Sequence, residues 1–451
     1  MMRRLFLLLA VALATLLPAW AQDKLAIVNA TLIDGSDHPP RQHATVLVQG
    51  GKIISITDAG TKPPIDAQIV DGSGRFLVPG LWNNDLHGPA YSEAKAPLLS
   101  LVSYGITTIR DMGAPLDDIV RLRNATASGA LVGPRLFIAG PLLQGPIPIQ
   151  MALIVDLFSE AQAREEVRNL RQHNVDYIEV DTSLPPTLYW AIADEAKRQN
   201  IPFVGHIPAK ISARDAAKAN QTDVEHLGGR FLNVLISCSS NEAYFHQVID
   251  KTYDDMLVAL KENHPLNEPQ FRAEFDERLL RTFDEKKAQK LYHLYATTGI
   301  AQTPTLYALK NSLWQGARDR DKLSDRDMEA GTKIFAKDMA VVGAMKRAGM
   351  TILAGTDGPY PQGGDELHSE LELLVQAGLT PLQALQAASR DAANAMGVLK
   401  ETGTIEVGQT ADLVLLDADP LAEISNTRKI DSVILHGRLF SKDELAAMRN
   451  H

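Results

Sequence analysis

The chain has 451 residues, 45% of them apolar and 22% charged, which is enough to bury a large core and excludes a disordered polymer. Its formal charge of −10 disfavours nucleic acid and anionic membrane surfaces as partners. A single cysteine, Cys238, excludes an internal disulfide, so stability rests on the core and on any bound metal; the simplest setting for that thiol is a small buried site.

The first residues read MMRR, followed by an apolar stretch from Leu5 to Leu17 broken only by Thr15, then Ala19-Trp20-Ala21 before Gln22. This charged, apolar and small-residue order is that of a secretory signal peptide cleaved after Ala21. The run falls short of the roughly 20 residues a spanning helix needs. Residues 1–21 are therefore expected to be removed, leaving a periplasmic or secreted protein with no membrane association. Loss of Arg3 and Arg4 takes the 45 basic residues to 43 against 55 acidic ones, and the charge from −10 to −12.

From Leu25 to about Val70 the texture is β-like, and Gly50-Gly51 between ATVLVQ and KIISI predicts a tight hairpin. The same texture returns from Ala411 to Phe440, where ADLVLLDAD and DSVILHGRLF put a second hairpin tip at His436-Gly437. The two ends, 22–80 and 400–451, are expected to share one small β-sandwich. Between them, over 81–399, GITTIRDM, RLFIAG, VDYIEV, IPFVGHI, TDVEHL and TILAGTD alternate with helical stretches. That is the order of repeated βα units in a parallel sheet or barrel. Ser159 three before Gln162, Ser212 three before Asp215, and Thr380-Pro381 before Gln383 mark helix starts. Asn241 to Lys290 is polar, helical in character and longer than a simple connection requires, so it reads as an excursion covering the site.

Barrel enzymes assemble their chemistry at the carboxyl ends of strands, and most of these runs end in a polar group. In VPGLWNNDLH, Val78 to His87, strand alternation puts Asn83, Asp85 and His87 on one face, so a carboxylate and an imidazole can reach one ion. A polar loop after a strand is the plain alternative. VDYIEVD ends with Glu179 and Asp181 on one face, a repulsive pairing unless a cation or donors lie between them; for Asp181 a solvated strand end is the simpler reading. His206 ends PFVGH, His226 ends DVEH and Asp357 ends TILAGTD. Neutral imidazoles with a carboxylate at equivalent strand ends suit a catalytic transition-metal site better than unrelated core residues. Arg230, just after the His226 strand, is a candidate anchor for a substrate carboxylate, or a surface arginine. His368 and Glu370 in LHSEL line a pocket or, more simply, open a helix.

Taken together, PGLW, GITTIRDMG, GPRLFIAG, GHIPAKISARDAAKANQTDVEHL, QTPTL, LAGTD, LHSELELLVQAGLTPLQAL and GTIEVGQTADLVLLDADP make the chain similar to the amidohydrolase superfamily, particularly its imidazolonepropionase and prolidase-like branch. The resemblance covers nearly the whole mature chain. It implies an α/β fold, a (β/α)8 TIM barrel flanked by a β-sandwich from both chain ends, with metal at the carboxyl face of the barrel. It also implies that His206 and His226 are ligands after strands five and six. Asp357 is then the strand-eight aspartate that binds metal and shuttles a proton, and His87 the second histidine of a His-x-His pair.

Three positions depart from the pattern. Asp85 stands for the first histidine of the pair, Asn83 for the aspartate before it, and Glu179 for a lysine that is carboxylated to bridge two metals. Asp85 can ligate, and Glu179 offers a carboxylate where the modified lysine would have done so. The expected cofactor is a divalent metal, zinc first, as one or two ions held by Asp85, His87, Glu179, His206, His226 and Asp357. The implied reaction is hydrolysis of amide bonds in small peptides, N-acyl amino acids or cyclic amides. The substitutions leave open a second reading, a barrel that has lost turnover and binds a ligand or partner. Expected partners are a small-molecule or short peptide substrate, with self-association into a homo-oligomer compatible with the chain.

Overall fold

The computed structural model describes residues 24–58, 60–88, 93–146, 152–229, 232–261, 273–311, 324–358 and 364–449; the segment 1–21, expected to be a signal peptide, and Arg230 lie outside them. The two chain ends meet in one eight-stranded sheet. Phe76–Pro79 pairs antiparallel with Leu413–Leu416, with Val78 opposite Val414, and so ties the first β region to the last. Both hairpin tips fall where glycine and short polar residues put them. Gly50 and Gly51 have φ of 60° and 75°, and His436 and Gly437 have 50° and 83°, the paired left-handed residues that close a two-residue turn.

Alternation along these strands sends Leu25, Ile27, Val46, Val48, Ile53, Leu77, Leu413 and Leu415 into one core. Val78, Val414, Leu416, Val433 and Phe440 go into another on the opposite face, together with Val102 of the helix Lys95–Ser103. Strands from both chain ends thus belong to a single continuous sheet with apolar residues on each face.

The central region alternates short parallel strands with helices. Leu81–Leu86, Ile106–Asp111 and Arg135–Ile138 form one parallel sheet. Ile178–Val180 and Phe203–Gly205 pair in a second, with Leu142–Gln144 and Ile154–Asp156 added at its edge. Asp223–Glu225 and Ala301–Thr303 form a third. Of TILAGTD, only Ile352 makes a ladder contact, to Gln302.

Backbone bonds carry each sheet to the next in chain order. Asp176 N donates to Ile138 O at 2.8 Å, Thr222 N to Phe203 O at 3.0 Å, Leu353 N to Gln302 O at 2.9 Å and Asn84 N to Ala354 O at 2.9 Å. The ladder breaks up because the later strands are only three residues long. Several then turn sharply at the residue that matters for the site.

Side-chain caps set the flanking helices. Ser159 accepts from Gln162 N, Ser212 from Asp215 N, and Thr380 and Gln383 complete a capping box. The polar excursion is helical, with Glu242–Lys261 and Ala273–Thr282 before Glu285–Thr298. Tyr253 donates to Ser183 O, so the first of these helices is anchored beside the loop that follows Val180. Among the described residues no helix is long and apolar enough to cross a membrane.

Candidate metal centre

The site forms where strands end. His226, Thr305 and Asp357, at the ends of three successive strand segments, have φ of 47°, 46° and 47°, a left-handed conformation that non-glycine residues rarely adopt and that clusters at functional sites. The turn swings each side chain off the strand's alternation. Backbone bonds then lock the first and last strand ends together: Asp357 N donates to Asp85 O and His87 N to Gly358 O, both at 3.0 Å.

Imidazoles and carboxylates converge here. His87 Nε2 lies 3.4 Å from Asp357 Oδ1, and His226 Nε2 lies 3.7 Å from Asp357 Oδ2 and 3.8 Å from Asp85 Oδ2. The His206 and His226 rings are 5.0 Å apart, centroid to centroid, and steeply inclined. Glu179 shares the pocket: a Cβ on Gly113 would sit 3.2 Å from His87 Nδ1 and 3.7 Å from Glu179 Oε2. At φ 138° and with that crowding, glycine is required there.

Threonines orient two of the rings. His206 Nδ1 meets Thr182 Oγ1 at 2.7 Å, and His226 Nδ1 meets Thr305 Oγ1. With Nδ1 donating to the threonine oxygen, Nε2 keeps the lone pair that a metal requires. Asp181 lies 3.4 Å from His206 Nδ1 and accepts from Ser183 N at 2.8 Å. It therefore backs the histidine instead of facing the ion.

The electrostatics are strongly perturbed. Burial, then mutual repulsion among Glu225, Asp357, Asp85 and Asp111, drives the Asp85 and Glu179 carboxyls well above the usual range. Burial resists protonation of His87, but the Asp357 and Asp85 carboxylates outweigh it and lift the ring to about 9. Burial pushes His226 down to about 4, favouring the neutral, ligating form. For Asp357 burial is outweighed by His226 and His87, which hold it below the usual carboxylate range. Among the described residues, Asp85 Oδ1 and Oδ2, Glu179 Oε2 and Glu225 Oε1 are buried with no hydrogen-bond partner. Buried acceptors of one sign, flanked by imidazoles, fit a divalent cation.

The structure brings together Asp85, His87, Glu179, His206, His226 and Asp357. Asn83 donates to Thr356 Oγ1 at 2.8 Å and braces the first strand against the last. His368 turns away, bonding Thr427 Oγ1 at 2.9 Å and Tyr104 O at 3.1 Å from the helix Asp365–Gln376. On the same helix Glu370 accepts from Tyr307 N at 2.7 Å and so secures the turn that carries Thr305. Cys238 is buried, and burial pushes its thiol up to about 12.

Sequence reasoning missed Glu225, Thr182 and Thr305. It also missed Arg110, fully buried and bonded to Asp223 Oδ2 at 2.8 Å. Asp223 lies two residues before Glu225 on its strand, and the same oxygen accepts from Thr303 Oγ1 of the neighbouring strand at 2.7 Å.

These features define an α/β protein with a pocket of candidate metal ligands at the carboxyl ends of its parallel strands. The amidohydrolase family model matches residues 89–440, and the chain belongs to that family. It is 29% identical over 220 residues to an N-acyl-D-aspartate deacylase of Alcaligenes xylosoxydans xylosoxydans, covering 49% of this chain and 35% of that one. It is 39% identical over 87 residues to an imidazolonepropionase of Shewanella piezotolerans, covering 18% and 21%. The chain thus spans well under half the length of these curated relatives. The crystal structure of a Xaa-Pro dipeptidase with bound methionine superposes with a TM-score of 0.69 at 18% identity, covering 93% of this chain and all of that one, a likeness of fold.

Proposed function

We propose that the chain is a metal-dependent hydrolase of amide bonds, acting on short peptides, N-acyl amino acids or cyclic amides. The observation that carries this is the convergence of His87, His206 and His226 with buried carboxylates whose oxygens lack hydrogen-bond partners. The names of the deacylase and dipeptidase relatives agree with amide cleavage.

The scaffold in this reading is a (β/α)8 barrel over 81–399, its strands following the backbone bonds from Leu81–Leu86 round to Ala354 and back. Residues 22–80 and 400–451 form its β-sandwich companion. The bridge between Lys52 and Thr410 supports a sheet that folds over on itself. Export with cleavage after Ala21 would place the enzyme in the periplasm or outside the cell.

Asp85, His87, Glu179, His206, His226 and Asp357 would hold the metal, zinc being our first choice. A divalent ion there supplies a Lewis acid for the scissile carbonyl and acidifies a water molecule. Asp357, more than a third exposed on its side chain and 3.4 Å from the His87 ring that favours its ionised form, stands at the mouth of the pocket. Its carboxylate accepts the proton of the attacking water and returns it to the leaving nitrogen. Thr182 and Thr305 keep the His206 and His226 rings turned toward the substrate side.

The test is a hydrolysis screen of dipeptides and N-acyl amino acids, with the mature protein loaded in turn with zinc, manganese and cobalt. Metal-dependent turnover that disappears in Asp357→Asn, with the fold intact, is expected. No turnover with any ion would favour a barrel that only binds ligand, and unchanged activity in Asp357→Asn would remove that residue from the mechanism.

A further inference from the structure

Glu225 and His226 are neighbours in sequence, and in a regular strand neighbouring side chains point to opposite faces. Here they do not. His226, Leu227, Gly228 and Gly229 have φ of 47°, 54°, 101° and 84°, four consecutive left-handed residues that bend the chain away as soon as the strand Asp223–Glu225 ends. Holding His226 and Leu227 there costs of order 1–3 kcal/mol per residue; Leu227 is fully buried in the core, while His226 turns into the pocket.

The bend brings both side chains to one place. A carboxylate oxygen of Glu225 and one ring nitrogen each of His206 and His226 lie within 4.8 Å of one another. Glu225 is 1% exposed, and its Oε1 has no hydrogen-bond partner. The Arg110 guanidinium acts on it through its charge, but Arg110 Nη1 is bonded to Asp223 Oδ2.

We infer that Glu225 is a direct carboxylate ligand of the ion held by His206 and His226, completing a two-histidine, one-glutamate set with a coordination position left for water. Asp85, His87 and Asp357 form a second group of ligand atoms, again within 4.8 Å of one another. Glu179, beside His87, lies next to that second group. The substituted positions Asp85 and Glu179 then do not have to complete the histidine-rich subsite, because Glu225 does.

The inference rests on the metal centre proposed above, and the test separates the two. Glu225→Gln is nearly isosteric with a protonated glutamate, so a purely structural, uncharged Glu225 would be replaced without consequence. Cobalt(II) is titrated into metal-free wild type and E225Q, following the visible ligand-field absorption and competing with a chelator of known affinity. A ligand role predicts an altered spectrum and a loss of affinity of roughly 100-fold or more, beyond what removal of an outer-shell partner brings. The metal-free proteins should melt alike. Wild-type protein that takes up no cobalt would sink the metal centre itself. Wild-type binding with an identical spectrum and affinity in E225Q would overturn the role of Glu225 alone. If E225Q does not fold, Glu225→Asp decides, since a shortened carboxylate must shift the spectrum of a true ligand set and leave that of a mere neighbour unchanged.

Discussion

Replacing Thr305 with valine tests whether the pocket is organised from outside its ligand set. Thr305 is fully buried, and its Oγ1 is the hydrogen-bond partner of His226 Nδ1. Threonine and valine are both β-branched, so the strain at φ 46° is common to both and cancels in the comparison. What changes is one hydrogen bond. An imidazole nitrogen left unpaired in a buried site costs about 1–3 kcal/mol, and the ring is free to adopt the other tautomer or to rotate. Metal affinity should fall about 10–100-fold, equivalent to about 1.4–2.8 kcal/mol. Thr182→Val should lose less, because His206 Nδ1 retains Asp181 Oδ2 at 3.4 Å. The assay is zinc competition against a chromophoric chelator, with the melting temperature of the metal-free forms as control. Unchanged affinity in Thr305→Val, or a larger loss in Thr182→Val, would refute the reasoning.

A second prediction concerns pH and lies outside the site. Asp276 and Asp338 are buried on the packed helices Ala273–Thr282 and Asp325–Arg347. Burial, then Asp327 and Glu277, lifts Asp276 from 3.8 to about 7. An acid raised in the fold binds more protons folded than unfolded, so its contribution is most favourable below the unfolded value and is lost as pH rises through the folded one. That rise sets a ceiling of about 4 kcal/mol, of which relaxation and water entry leave on the order of 2. Asp276→Asn should therefore match wild type near pH 4 and exceed its denaturation midpoint at pH 8.5, whereas parallel midpoints would contradict this. In a third prediction, Arg110→Met should destabilise by about 3–5 kcal/mol by stranding buried Asp223, and adding Asp223→Asn should recover part of the loss. Denaturation of the two variants, read as a double-mutant cycle, checks it; additive losses would mean that the pair is not coupled.

Much of this was legible because strand periodicity and helix caps are local. Apolar runs ending in His206, His226 and Asp357 announced polar groups at strand ends, and Gly50-Gly51 and His436-Gly437 announced their hairpins. Glu225 was hidden for a physical reason. Alternation assigns it to the face opposite His226, and nothing in Glu-His-Leu says that two non-glycine residues will turn left-handed. Thr182 and Thr305 carry no chemical signal in sequence, since their role exists only once distant strands bring them to imidazole nitrogens. Arg110 and Asp223 are 113 residues apart, and nothing local distinguishes a buried pair from two polar strand residues. Asp181 read most simply as a solvated strand end, yet it backs His206 while Glu179 enters the pocket.

The most direct test of the metal centre is the divalent metal content of the purified protein, measured by elemental analysis after loading with zinc, manganese or cobalt and exhaustive dialysis. At least one ion retained per chain is predicted, with retention lost in a His206→Asn, His226→Asn double variant that still folds. Wild-type protein that retains none of the three ions, or a double variant that retains as much as wild type, would contradict the account.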